Sequence, residues 1–316
     1  MDNYLKAIYL KTINEAVTNG RLDILMDLHK NNKYLLPWDK TTCDCAAKNG
    51  HLECLRYLHK NGCKWNEDTI CTYAAENGHI ECLMYAHKNG CNWYTVTCSS
   101  AAKNGHIECL KYAHKNGCRW NEYTCCYAAK NGHLECLKYA HKNRCHWDSN
   151  TCSEAAMNGH LDCLKYAHKN GCRWDETICT YAAKNGHIEC LKYAHENGCP
   201  LNKKTCYNAA YNGQLECLKY LYKNGCPWDE LTCHYAAQNS HFDCLKYAYE
   251  NGCPYPKELM STIVKKILIP KWCAAVKSRP YILHWIEDTS KTLYAETGKG
   301  RKCDYDTFVE DFNDFL

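Results

Sequence analysis

A unit of 27 residues recurs along most of this chain, and no other feature limits the fold so tightly. It reads T-C-x-x-A-A-x-N-G-H-L-E-C-L-K-Y-A-H-K-N-G-C-x-W-[DN]-E-x. Its first glycine falls at Gly50, Gly78, Gly105, Gly132, Gly159, Gly186 and Gly213, with Ser240 in the same place, so the step is 28 once and 27 six times. A looser copy centred on Gly20 lies one longer step upstream and brings the count to nine units. So short a unit cannot bury its own apolar face; it must stack against its neighbours in a solenoid.

Each unit reads as two short helices. In one representative copy the first spans Thr177–Lys184 and ends at Asn185-Gly186, and the second spans Ile188–Glu196 and ends at Asn197-Gly198. Glycine after a helix supplies the left-handed residue that satisfies the last carbonyls, so two Asn-Gly pairs mark two helix ends. Asp175, Asn121 and Asp148 are the expected N-caps of first helices. On the second helix, Cys190, Leu191, Tyr193 and Ala194 share one side, with Glu189 and Lys192 opposite. Glutamate near the start of this helix and lysine near its end suit the helix dipole.

Composition excludes several classes. The formal net charge is only +4, too small to announce a nucleic-acid or membrane-surface protein. No apolar run approaches the length of a membrane helix. The opening MDNYLKAIYLKTINEA reads as a helix without the apolar block of a signal peptide. Nearly every Cys, His and Glu recurs as a column at the repeat step, whereas catalysis needs an asymmetric set of groups. No enzyme and no cofactor are therefore expected.

Ala182-Ala183-Lys184-Asn185-Gly186-His187-Ile188-Glu189-Cys190-Leu191-Lys192 resembles the ankyrin repeat, and the likeness runs on through Gly198-Cys199. Its style is also similar to ankyrin families expanded in large DNA viruses of protists. The resemblance implies an all-α solenoid of helix-turn-helix units. It also implies a cytoplasmic protein (host cytoplasm, if viral), acting as a monomeric, non-enzymatic scaffold for a partner protein. Two departures stand out. The family step is about 33 residues, and the residues missing here lie where the family carries its projecting β-hairpin, so that finger should shrink to a tight turn. The Thr of the family's T-P-L-H opening is kept at Thr41 and Thr69 but is replaced by Val96, Tyr123, Asn150, Lys204 and Leu231. On this basis residues 1–40 are expected to form a degenerate capping repeat, 41–253 eight regular repeats and 254–316 a helical cap.

Three cysteine columns, starting at Cys43, Cys54 and Cys63, account for 24 of the 28 cysteines. They occupy positions where the resembled family carries Leu, Val and Ala, so they read as small buried apolar residues with mostly free thiols. A metal array and a disulfide ladder are the alternatives. Cys190 and His195 lie roughly 140° apart around a helix and cannot share a metal within one unit. Disulfides need an oxidising compartment, for which nothing in the sequence argues. The Trp column (Trp38, Trp65, Trp93, Trp120, Trp147, Trp174, Trp228) either seals the shortened turn or offers stacking platforms for bases. The histidines after the first glycine belong to the resembled family's G-H signature and read as structural.

Packing columns stay constant from copy to copy, and ligand-facing columns are free to vary. The freest exposed column is Lys48, Glu76, Lys103, Lys130, Met157, Lys184, Tyr211 and Gln238. The residue before the Ala pair also varies, and includes Tyr127, Glu154 and Tyr181. The candidate partner-binding residues are thus Tyr127, Glu154, Met157, Tyr181, Lys184, Tyr211 and Gln238, and the resemblance places their counterparts on the recognition face. Two other partners are kept open. One is a nucleic acid or other polyanion on the ladder Lys111, Lys138, Lys165, Lys192, Lys219 and Lys246. The other is a ubiquitin-ligase scaffold, because Pro256-Lys257-Glu258-Leu259-Met260 is faintly similar to the start of an F-box.

Overall fold

The computed structural model describes residues 2–31, 38–67 and 69–254. Among them are eighteen helices and no strand. The chain divides into two compact units, Met1–Pro200 and Leu201–Leu316. The division falls inside the run of regular repeats.

The first unit opens with α1 (Asp2–Thr18), α2 (Leu22–Asn31), α3 (Lys40–Lys48) and α4 (Leu52–Lys60). It continues with α5 (Ile70–Glu76), α6 (Ile80–Lys88), α7 (Thr95–Lys103), α8 (Ile107–Lys115), α9 (Glu122–Lys130) and α10 (Leu134–Lys142). It closes with α11 (Ser149–Met157), α12 (Leu161–Lys169), α13 (Thr177–Lys184) and α14 (Ile188–Glu196). The odd-numbered helices pack on one another in one layer, the even-numbered helices in a second, and each pair closes the gap between layers. The second unit holds α15 (Lys203–Tyr211), α16 (Leu215–Lys223), α17 (Glu230–Gln238) and α18 (Phe242–Glu250), paired in the same way. Only residues 143–148 connect α10 to α11, so the projecting hairpin of the resembled family is reduced to a turn, as its shortened step predicts.

Small residues explain how such short helices pack. In one repeat Cys125, Ala128 and Ala129 of α9 and Cys136, Leu137 and Ala140 of α10 are buried, and Cys145 follows them. Alanine and cysteine let the odd-numbered helices approach closely, while the single leucine fills the space between layers. Burying that leucine contributes about 2 kcal/mol.

The helix ends follow the Asn-Gly prediction in detail. After α9, Asn131 Nδ2 donates to the Tyr127 carbonyl at 2.9 Å, and Gly132 takes φ 76°. The His133 amide reaches back to the Ala128 carbonyl at 2.8 Å. That is the Schellman closure, and only glycine enters it without a steric penalty. Two copies accept the penalty: Ser240 and Arg144 sit in the same left-handed region at φ 62° and 63°.

The N-caps divide. Asp148 caps α11 as expected, its side chain accepting from the Asn150 amide at 3.0 Å. Asn121 occupies the cap position of α9 without making the capping bond. Asp175 accepts from the Thr177 amide at 2.9 Å, yet the cap position of α13 falls one residue later, at Glu176. The expected helical cap at 254–316, with its F-box-like opening, lies outside the described residues apart from Pro254.

Candidate interaction surface

Most recurring polar and aromatic residues turn out to hold neighbouring repeats together. His168, at the end of α12, stacks on Trp174 of its own repeat with ring centroids 3.7 Å apart. Its Nδ1 is 3.0 Å from the Tyr193 hydroxyl of the next repeat, and Trp174 meets the same tyrosine edge-on at 6.0 Å. The trio recurs as His114–Trp120–Tyr139 and His141–Trp147–Tyr166. Each of these indoles has a face covered by imidazole, so the seal is favoured over the base-stacking platform.

Burial holds the pKa of His59, His87, His114, His141 and His168 below the ordinary imidazole value. The neutral ring can then accept a hydrogen bond from the phenol hydroxyl at Nδ1. A base whose folded pKa is depressed binds fewer protons when folded than when unfolded, so its stabilising contribution is complete above the unfolded value. It is lost as the pH falls below about 6.5. Thermal unfolding should therefore shift to lower temperature from neutral pH toward about pH 5.5. The variant His114→Tyr/His141→Tyr/His168→Tyr, which copies the natural Tyr222 and Tyr249, should flatten that slope. A profile already flat in the parent protein would contradict the assignment.

The second histidine column locks the helix ends. His51 Nε2 lies 2.9 Å from the Thr18 carbonyl at the end of α1, and His160 is bonded in the same way to the backbone of Lys130. The imidazole rests against the glycine of the preceding repeat: a Cβ built on Gly132 would stand 2.5 Å from His160 Nδ1. Gly and His in the G-H signature are thus partners across two repeats.

The cysteines of the three columns are buried as expected. Burial raises the pKa of the second-column thiols Cys82, Cys109, Cys136 and Cys163 to about 12, so they stay protonated and inert. Among the described residues no three His, Cys, Asp or Glu side chains converge on a point that could hold a metal. The thiols are mostly free, as expected, with one exception. The described cysteines are free thiols except Cys71 and Cys91, which are joined in a disulfide. They belong to the first and third columns, whose spatial pairing the helix-by-helix reading missed. The constant separation of 20 residues was the available signal.

The lysine ladder is largely neutralised from within. Lys111, Lys138, Lys192 and Lys219 each meet the glutamate three residues earlier at 2.8 Å. Lys246 lies 3.7 Å from Glu250, and Lys165 sits over the Tyr193 ring. Releasing these pairs would weaken any polyanion contact, so the geometry disfavours that partner.

The outward positions of the first-helix layer remain. Tyr127 on α9, Glu154 and Met157 on α11 and Tyr181 on α13 are each half-buried, and Lys184 at the end of α13 is exposed. Glu154 is engaged across repeats by Lys130 at 3.2 Å, which fixes its carboxylate. In the same layer the structure exposes two residues that stand out in the sequence only as departures at the family's Thr position. Tyr123 and Val96 are 51% and 52% exposed, and the Tyr123 ring lies 5.9 Å from that of Tyr127. Apolar residues where a turn residue belongs were the signal. In the second unit Tyr211 is 44% exposed with its ring edge-on to Tyr235, and Gln238 is exposed.

Among the described residues no helix is long and apolar enough to cross a membrane. No curated protein matches the chain. The human ASB11 ankyrin repeat domain is a similar solved structure at 21% identity and TM-score 0.45, over 50% of this chain and 84% of that one. The family model of ankyrin repeats (3 copies) matches residues 13–97, 98–166 and 152–232. These matches span well over half of the sequence and fall within the run of helix pairs described above, so the chain belongs to the ankyrin-repeat family.

Proposed function

We propose that this chain is a non-enzymatic scaffold that binds a partner protein along its first-helix layer, with Tyr127, Met157 and Tyr181 as anchors in the first unit. One observation carries the reading. In α9, α11 and α13 the inward cysteine and alanine columns are unchanged, while the outward side chains change from repeat to repeat. Half-buried tyrosines offer rigid, amphipathic area at small entropic cost, which suits an interface centre. Lys184 and Glu154 supply the polar surround. In the second unit Tyr211 and Gln238 form a smaller patch with Tyr235.

The test begins with a partner recovered by proximity labelling in the native cell and then purified. Tyr127→Ala/Met157→Ala/Tyr181→Ala should weaken its binding at least about tenfold, or about 1.4 kcal/mol. Lys111→Gln/Lys138→Gln/Lys192→Gln should leave the affinity unchanged, and moderate salt should spare most of it. The reverse pattern, with the lysine variant and salt abolishing binding, would overturn the proposal in favour of a polyanion site.

A further inference from the structure

Each repeat brings one first-column and one third-column cysteine together, 20 residues apart in sequence. Cys43 Sγ and Cys63 Sγ are 2.9 Å apart, and Cys71 is already joined to Cys91. In the remaining repeats the first-column thiol points at its third-column partner. Cys98, Cys125 and Cys152 lie 3.9, 4.0 and 3.9 Å from the carbonyls of Cys118, Cys145 and Cys172. Cys206 and Cys233 in the second unit lie 4.0 Å from those of Cys226 and Cys253. We propose that these pairs are dithiol modification sites which a peroxide oxidises to disulfides, fastening the first helix of a repeat to the segment after its second helix.

The two thiols of a pair are not equivalent. Cys98, Cys125 and Cys152 are fully buried, whereas Cys118, Cys145 and Cys172 keep 3%, 4% and 3% exposure at the repeat edge. The third-column cysteine is therefore the one that peroxide reaches, and it attacks as the thiolate. The Cys118 thiolate attacks one oxygen of hydrogen peroxide; the O–O bond breaks, leaving a sulfenic acid on Cys118 and hydroxide, which takes up the thiol's proton as water. The Cys98 sulfur then attacks the Cys118 sulfur; the S–S bond forms, the S–O bond breaks, and a second water leaves with the Cys98 proton. The thiols lose two electrons and two protons between them, and the peroxide is reduced to two waters. A thiol reductant reverses the modification.

The full-length chain, reduced and then freed of reductant, is treated with hydrogen peroxide. It is blocked with N-ethylmaleimide under denaturing conditions and mapped by mass spectrometry. Linked peptides Cys98–Cys118, Cys125–Cys145 and Cys152–Cys172 should appear while the alkylated forms of both partners are lost together. The second-column Cys109, Cys136 and Cys163 should stay fully alkylated, and dithiothreitol should restore every thiol. Cys118→Ala should abolish oxidation of Cys98 and leave the other links intact; the map of the parent chain decides even if that variant folds poorly. The proposal is overturned if the pairs stay free at peroxide doses that consume the half-buried Cys45 and Cys126. Links that join the second column would overturn it equally.

Discussion

Replacing Gly132 with alanine should lower the stability of the first unit by about 2–3 kcal/mol. Two effects add. Gly132 sits at φ 76°, where an L-residue costs about 1–2 kcal/mol. Its new Cβ would also stand 2.5 Å from the His160 ring, which must move and give up its bond to the Lys130 backbone, costing about 1 kcal/mol more. Gly117 separates these terms. It has φ 90° but nothing within 4 Å of its Cβ position, so Gly117→Ala should show the backbone cost alone. Urea unfolding of Gly132→Ala, His160→Ala and the double variant beside the parent forms a cycle that measures the contact. Equal losses at the two glycines would dismiss the proposed partnership.

Leu137→Ala should be at least as damaging, at about 2–5 kcal/mol. Leu137 is fully buried in α10, which packs on α9 and on the adjacent even-numbered helices α8 and α12. The other buried residues of α9 and α10 are Thr124, Cys125, Ala128, Ala129, Cys136 and Ala140, short side chains that cannot swing in to fill the cavity. The same change at Leu134, at the half-buried start of α10, should cost much less.

The helices were legible because two periodic signals coincide. The Asn-Gly pairs end every regular helix but α10 and α17, and the sided pattern of Cys190, Leu191 and Ala194 shows which face is buried. The boundaries read for α13 and α14 match the structure. What could not be read depends on contacts between segments. Tyr193 reads as a core residue of its own helix, yet its hydroxyl serves His168 of the preceding repeat. The pairing of Cys98 with Cys118 joins a helix to a loop, so no helical projection displays it. Asn121 and Asp148 are equally good caps by residue type and take nearly the same extended backbone, yet only Asp148 makes the bond, a difference that residue type does not reveal. At the candidate surface, variation between copies picked out Tyr127, Met157 and Tyr181. Tyr123 escaped because it was weighed as a lost turn residue and not as exposed apolar area.

Hydrogen exchange of the Leu137→Ala variant, resolved repeat by repeat, tests most directly whether repeats in the first unit are held only by their immediate neighbours. Faster exchange should centre on α9 and α10, extend to α7, α8, α11 and α12, and fade before α3 and α4. A uniform rise from α1 to α14 would mean one indivisible core, and the stacked-repeat account would be wrong.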